Sequence, residues 1–542
     1  MVVAFPPFDS PWTVFFFLVP FVLWAGTAPR WRSFFGVAAF AGWAAWFLVL
    51  IWLRHIYPPW GWVALTFLAA EAAIFPTAWL MALRWAVPRL RAQSGGRRCL
   101  AMLGLAGWWV VLDWVRGWLF TGFLWLPLAA AFWRFPVMLQ PAAWTGEAGV
   151  TFLVVGVNLG VAAQLRGFRR DWKNIPAPAT ARAGAFLQPE LGAALALLLA
   201  ALVFSVREVT LAPARELQPL LRVGVVQPWT PALLKWDEAS EVQNWTTLRD
   251  LTLGLRATNV EAVFWPEAAP PFLVEGPDTA DARALLQRLV DATGKPLLLG
   301  AVAEAPPPPG AEQSPGDYNA MLVMNPGSGL EPEFYAKQKR VPFGEYVPGR
   351  SEFPFLGKVV PLPEDTLPGR WENTLPLRLP NGRVLQAGPL ICYEDIFPAL
   401  ALAQARAGAD FLVVVTNDAW YGEEGGALQH AAHSVLRAVE TRRPVVRCGN
   451  DGWSGWIDEY GFAYALEQTS PGRFQPEPVD HDAGTTYFRG AGVLHVYHHP
   501  ALAATLSFYT RHGDWFVALS ALLAIAAVWV ISQEPAGAPL GK

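Results

Sequence analysis

The sequence predicts a multi-span α-helical membrane region joined to an α/β layered domain. Only 16% of the 542 residues are charged and 53% are hydrophobic, with 28 Trp and 33 Phe; soluble domains carry about 25% charged residues. The deficit is also uneven. Charge is scarce over the first 210 residues and ordinary from about 214 to 510. The expected organisation is a membrane region over 1–213, an α/β domain over 214–510, and a last span with a cytoplasmic tail over 511–542. A net charge of −3 gives no polyanion-binding character, so nucleic acid is not an expected partner. Cys99, Cys392 and Cys448 have no paired spacing, which gives neither a disulfide framework nor a zinc pattern.

Crossing a bilayer takes about 20 apolar residues, sometimes 17. Candidate spans are 11–26, 33–53, 63–83, 99–117, 147–165, 190–206 and 515–532. The run "SFFGVAAFAGWAAWFLVLIWL" (33–53) contains no charge at all. The first basic residue is Arg30, so the N-terminus lacks the charged start of a signal peptide. Basic residues in short loops are retained in the cytoplasm and set the orientation. One set of alternate loops holds twelve: Arg30, Arg32, Arg84, Arg89, Arg91, Arg97, Arg98, Arg166, Arg169, Arg170, Lys173 and Arg182. The other set holds three, Arg54, Arg116 and Arg134. That asymmetry places the first set inside, the 214–510 domain outside, and the C-terminus inside.

The outer domain reads as short apolar runs separated by turn residues. Strands are expected at 221–228, 262–267, 296–302, 319–326, 385–392 and 411–418, and helices at 246–257, 281–294 and 427–442. Buried strands interleaved with helices mean an α/β layered domain. Reactive groups stand at strand ends and in one loop. "FWPE" ends on Glu267, "YAKQKRVPFGEYVP" carries Lys337 and Glu345, and "LICYE" puts Cys392 at a strand-to-helix turn. Functional groups collect beyond strand ends in such folds, and a helix N-terminus there is expected to lower the thiol pKa.

These three motifs together resemble the Glu-Lys-Cys triad of the nitrilase superfamily, a four-layer αββα sandwich. The PFGEYVP form, the flanking apolar segments, "LKWDEA" (234–239), "TNDAWYG" (416–422) and "YTRHGDW" (509–515) are more narrowly similar to the bacterial apolipoprotein N-acyltransferases. "TGFLWLP" (121–127) resembles that family's GFPWL loop, with Leu124 in place of the usual Pro. The resemblance also marks a departure. Family members begin with a further hydrophobic helix before the segment that here reads "AFPPF" (4–8). Seven spans and an extracytoplasmic N-terminus are therefore expected rather than eight spans, with a start site set too late as the expected cause.

The resemblance implies transfer of an acyl chain from a phospholipid to the N-terminal amine of a diacylglyceryl-cysteine apolipoprotein. The enzyme would sit in the bacterial inner (plasma) membrane with its catalytic domain periplasmic, acting as a monomer without cofactor or metal. Cys392 would be the nucleophile, forming a thioester. Glu267, desolvated by Trp265 and Pro266, is expected to have a raised pKa and to act as proton acceptor and donor. Lys337 would stabilise the oxyanion, with Glu345, Tyr393 and Glu394 in support. Trp236, Trp420 and Trp125 would meet substrate near the lipid access path. His430 and His433, three apart on an expected helix, lack an evident third ligand for a metal, and Cys99 and Cys448 are expected to be inert. The same triad would serve a membrane-tethered nitrilase-type amidase, and a non-catalytic lipid-binding scaffold is the reading from another class. A tether needs one span, so the long membrane arm favours a lipid substrate.

The orientation is directly testable. A Gln313→Cys variant places a thiol in the polar loop 310–317 and is expected to react with a membrane-impermeant thiol reagent in intact spheroplasts, above the background of the parent chain. Labelling only after lysis would reverse the topology.

Overall fold

The computed structural model describes all residues except 57–58, 173–186, 212–216, 236, 277, 307–315, 356–361, 363, 371–372, 471–472, 479–485 and 534–542. Trp236 and the Gln313 loop tip therefore lie outside the described residues. The chain divides into two compact units, one of Met1–Ala212 with His512–Lys542 and one of Pro213–Arg511.

The first unit is helical. Among the described residues, six helices are long and apolar enough to cross a membrane, and they cover the expected segments from 33–53 onward. The segment 11–26 departs from the expected seven continuous spans. It forms a short 3₁₀ turn, Pro11–Phe15, and a helix of only eight residues, Val19–Gly26. A local feature accompanies the break: Pro20 has no N–H to bond a preceding turn and stands in the first turn of Val19–Gly26, the position that suits it best. The backbone groups freed by the break are met by Asn158. Its Oδ1 accepts from Leu18 N at 3.0 Å and its Nδ2 donates to the Val14 carbonyl at 2.7 Å. Satisfying such groups from within is what an apolar surrounding demands. Elsewhere small residues set the packing. A Cβ on Gly104 would come within 2.2 Å of Ala527 Cβ, and one on Gly107 within 2.5 Å of the Ser520 carbonyl. The helices Gly95–Arg116 and Trp515–Ser532 thus approach at backbone distance, the usual device where apolar burial alone gives no drive to associate.

The second unit is a four-layer αββα sandwich. One sheet has the order β14-β1-β2-β3-β4-β5, with β6 also pairing β4; the other runs β13-β12-β11-β10-β9-β8-β7. In the first sheet β1 is Gln218–Gln227, β2 Ala262–Trp265, β3 Leu297–Glu304, β4 Asp317–Asn325, β5 Gly329–Leu330 and β6 Tyr335–Ala336. In the second β7 is Leu375–Arg378, β8 Val384–Ile391, β9 Phe411–Thr416, β10 Val445–Gly449, β11 Gly455–Ile457, β12 Ala463–Ser470 and β13 Arg473–Pro478, while β14, Gly490–His498, returns to the first. β1–β2–β3 and β8–β9–β10 are parallel ladders. Parallel strands need crossovers, and the helices expected at 246–257, 281–294 and 427–442 are present as Glu241–Gly254, Ala280–Thr293 and Gly426–Thr441.

Alternation along each strand divides its side chains between two cores. Val223, Val225, Phe264, Leu298, Met321 and Val323 face Ile391, Phe411, Val413, Val415 and Val446 between the sheets. Val226, Val263, Trp265, Leu297 and Leu299 face the outer helices through Leu248, Leu286 and Val290. The Phe264 and Phe411 rings stack across the sandwich at 6.2 Å. Phe264→Ala is expected to destabilise this unit by about 3–5 kcal/mol, read as a lowered thermal midpoint of the purified full chain. An unchanged midpoint would remove this contact from the core.

Candidate active site

Each reactive side chain stands one or two residues beyond a strand of the sandwich. Glu267 follows β2 through Pro266, and Gly300 on β3 makes room for it: a Cβ there would lie 2.6 Å from Glu267 Cα. Lys337 follows β6 and is tied to β4 by its N–H donating to the Asn319 carbonyl at 2.8 Å. Cys392 follows β8 and opens a single 3₁₀ turn, Cys392–Ile396, with φ of +51°. A left-handed non-glycine residue costs about 1–3 kcal/mol and persists only where its surroundings hold it.

The polar atoms converge. Lys337 Nζ lies 3.0 Å from Glu267 Oε1 and 2.8 Å from Glu345 Oε1, so one buried ammonium is clamped by two carboxylates. Asn319 Nδ2 donates to the same two oxygens, at 2.7 and 2.9 Å. Glu345 Oε2 accepts from Val341 N at 2.7 Å, which closes the Lys337 loop on itself. Glu267 and Cys392 are each 7% exposed and Lys337 only 1%. The Cys392 thiol feels the charges of both Glu267 and Lys337. Lys235, expected only as part of a motif, is buried beside them, and its Nζ donates to the Glu267 carbonyl at 2.6 Å.

Two electrostatic expectations are corrected here. Burial raises the Glu267 carboxyl, as anticipated, but Lys337, Lys235 and the hydrogen bonds from Asn319 and Lys337 outweigh it, so its pKa falls below the ordinary value. For Cys392, burial dominates, the Glu267 charge adds to it, and Lys337 opposes without winning. The thiol pKa is therefore raised, not lowered. A single 3₁₀ turn supplies little of the dipole that a long helix would. Burial also pulls Lys235 down to about 8, against the charges of Glu267, Cys392 and Asp451. Lys337 is held well above its usual value because Glu267 and Glu345 overcome its desolvation. The resting site thus pairs a protonated thiol with an ionised carboxylate, which is a base ready to accept a proton.

The remaining expected residues fall in different places. Glu394 is fully buried; its oxygens accept from Ile391 N (2.8 Å), Gln338 N (2.6 Å), Lys339 N (3.1 Å) and the Tyr335 hydroxyl (2.9 Å). It joins the cysteine turn to the lysine loop. Tyr393 packs edge-on against Phe397 at 5.2 Å. Trp420 is half-buried on the 3₁₀ turn Asp418–Tyr421 after β9. Trp125 belongs to the first unit, 1% exposed and stacked on Phe123. Cys448 is buried between the sheets with its thiol toward the Phe264 carbonyl. His430 engages Asp395 and Asp418. Asn319, Lys235 and the partners of His430 went unread in the sequence. Asn319 offered one signal, a lone amide opening an apolar strand run.

Residues 1–160 match the apolipoprotein N-acyltransferase N-terminal domain, and residues 222–473 match the carbon-nitrogen hydrolase family. An apolipoprotein N-acyltransferase of Rhodopseudomonas palustris is 31% identical over 487 residues, covering 84% of this chain and 83% of the relative. The chain belongs to the apolipoprotein N-acyltransferase family. Another acyltransferase of this name, from Brucella melitensis, is 34% identical over 69% of this chain, and the chain spans 66% of that relative's length. Solved structures similar to it include the C. elegans NitFhit protein (16% identity, TM-score 0.37, covering 55% of this chain and 64% of that one). A mutant of the Nesterenkonia amidase of the nitrilase superfamily is similar at 18% identity and TM-score 0.34, covering 57% and 97%. With six membrane-length helices among its described residues and bacterial relatives such as these, this acyltransferase-family chain is a bacterial membrane protein.

Glu394→Ala would leave three backbone N–H groups and a phenol without their acceptor, each costing about 1–3 kcal/mol if left unmet. Faster limited proteolysis within 337–346 is the expected result, since that loop loses its tie to the cysteine turn. Proteolysis at the parental rate would remove Glu394 as the link.

Proposed function

We propose that this chain acylates the N-terminal amine of diacylglyceryl-cysteine apolipoproteins, taking the acyl chain from a phospholipid through a thioester on Cys392. The observation that carries the reading is the clamp of Lys337 between Glu267 and Glu345 beside the buried Cys392 thiol, in a chain whose other unit has helices of membrane length. The bacterial inner membrane is the proposed location, with residues 214–510 on the periplasmic side. A lipoprotein receives its last acyl chain after export, which is the side the basic-residue asymmetry selects.

In the first half-reaction Cys392 Sγ attacks the ester carbonyl carbon of the donor while the Glu267 carboxylate accepts the thiol proton. A thiol with a raised pKa does not leave thiolate waiting at rest, so proton transfer and attack proceed together. The Lys337 ammonium stabilises the oxyanion, and Glu345 holds that ammonium in place. Collapse expels the lysophospholipid alkoxide, which takes the proton back from Glu267. In the second half-reaction the acceptor α-amine attacks the thioester. Glu267 removes the amine proton and delivers it to the departing Cys392 sulfur. The products are an amide and the free thiol, so atoms and protons balance over the cycle.

Intact-mass analysis after mixing with phospholipid tests the reading. Wild-type protein is expected to gain one acyl group on Cys392 and lose it to an amine acceptor. Release to water alone would make the chain a hydrolase, in line with the amidase-type reading and against transfer, and absence of any adduct would leave a scaffold. Cys392→Ala should abolish transfer with the fold retained, and Cys392→Ser should be nearly inactive because an alkoxide leaves less readily than a thiolate. Glu267→Gln and Lys337→Met should accumulate no thioester in a single turnover, by at least the ~10²-fold typical for a lost acid–base or oxyanion group. Normal thioester formation in Glu267→Gln would take the base role from that residue. Glu345→Ala should slow the step without abolishing it.

A further inference from the structure

Directly behind the cysteine turn lies a second set of charges that the acyl-transfer steps do not use. Asp395, Asp418, His430 and Arg447 come from four separate segments, and all four side chains are fully buried. Arg447, on β10, brackets the two carboxylates, with Nη1 3.0 Å from Asp395 Oδ2 and Nη2 3.0 Å from Asp418 Oδ2. His430, on the helix Gly426–Thr441, fills the gap between them. Its Nδ1 lies 2.9 Å from Asp418 Oδ1 and 2.8 Å from Arg447 Nη2; its Nε2 lies 2.9 Å from Asp395 Oδ1 and 3.2 Å from the Cys392 carbonyl. Ser434 adds a hydroxyl to Asp395 at 2.6 Å, and Thr416 adds one to Asp418 at 2.8 Å.

Stability alone gives a weak reason for such a network, because well-packed apolar side chains of similar volume often do as well as a buried ion pair. Its position gives a better one. The network reaches the nucleophile's residue through His430 at the Cys392 carbonyl. It also holds Asp395, three residues on in the same turn. Cys392 is the left-handed residue that its surroundings must hold. The β8 ladder ends at Ile391; Ile391 N ties the turn to Glu394, and the bond to the Cys392 carbonyl itself comes from His430. Facing carboxylates keep the proton on Nε2 whether Nδ1 donates to Asp418 or accepts from Arg447.

We propose that His430 is a positioning residue for the nucleophile: its Nε2–H, directed at the Cys392 carbonyl with the Asp395 carboxylate alongside and anchored from behind by Asp418 and Arg447, locks the left-handed turn that presents the Cys392 thiol. The reaction involved is the one set out above, so the inference rests on Cys392 being the reactive thiol. It assigns a role to a histidine outside the Glu-Lys-Cys set.

The test compares His430→Leu, which removes the donor, with His430→Gln, whose amide can donate from near the Nε2 position. Two rates are read on the full-length protein in detergent micelles. One is single-turnover acylation of Cys392 by phospholipid, followed by intact mass. The other is alkylation of Cys392 by iodoacetamide, followed by peptide mass. His430→Leu is expected to lose at least tenfold in both rates at an unchanged half-saturating phospholipid concentration, and His430→Gln to recover most of each. Rates within threefold of wild type in His430→Leu would overturn the proposal. Equal losses in both variants would also overturn it, since they would show a general packing role. The alkylation arm stands apart from the reading of the reaction: if wild type formed no acyl adduct, that reading would fall, and the alkylation ratio would still judge His430. Should His430→Leu fail to fold, Asp418→Asn, which weakens the anchor behind Nδ1, is expected to slow alkylation in the same direction. An unchanged alkylation rate there would count against the proposal.

Discussion

The second unit is organised around one buried ammonium. Lys337 is 1% exposed, and a cation removed from water at that depth is tolerable only where opposite charge and hydrogen bonds replace its hydration. Glu267 and Glu345 supply the charge, and Asn319 bridges both of their oxygens. The same ammonium then sets the state of its neighbours. Together with Lys235 and the hydrogen bond from Asn319 it outweighs the desolvation of Glu267, keeping that carboxylate ionised, and it faces a thiol that burial keeps protonated. Removing any member would strand the others in a place where solvent cannot compensate.

The sandwich makes this clamp possible. Parallel strands end together, so β2 and β8 bring Glu267 and Cys392 to neighbouring ends of the two sheets while their own hydrogen bonds are spent on rigid ladders. Lys337 arrives on a loop, and loops are the movable part. That loop is held by polar contacts rather than by apolar packing: Glu394 grips its backbone from the cysteine turn, and Glu345 closes it through Val341 N. The precision of the site thus comes from strands for two groups and from carboxylates for the third. Behind the cysteine, the network of His430, Asp395, Asp418 and Arg447 plays the corresponding part for a strained turn.

Much of the fold could be read in advance because its signals are local. The charge-poor runs became membrane-length helices, and the six short apolar runs became β1, β2, β3, β4, β8 and β9. Among the strands that went unread, β10 shows why. β10 carries Arg447 in mid-strand, so its apolar run is broken by a charge whose partners, Asp395 and Asp418, lie far away in the chain. The 11–26 segment has the composition of a span, yet Pro20 and the side chain of Asn158 give it a broken path. Hydropathy reports apolar content and is blind to a backbone group rescued from another helix.

By itself the sequence determined the division into an apolar and a soluble part, the layered class of the latter, and which reactive residues stand beyond strand ends. Those are properties of neighbours along the chain. Only the tertiary structure decided how those residues are charged. Glu267 meets a lysine 70 residues away, and His430 reaches the Cys392 carbonyl from 38 residues away. Burial pointed to a raised carboxyl at Glu267, and a helix start pointed to a lowered thiol at Cys392. Both directions reversed once Lys235, Lys337 and the depth of the site were in place. A pKa is a balance between desolvation and the nearest charges, and neither is fixed until the chain has folded.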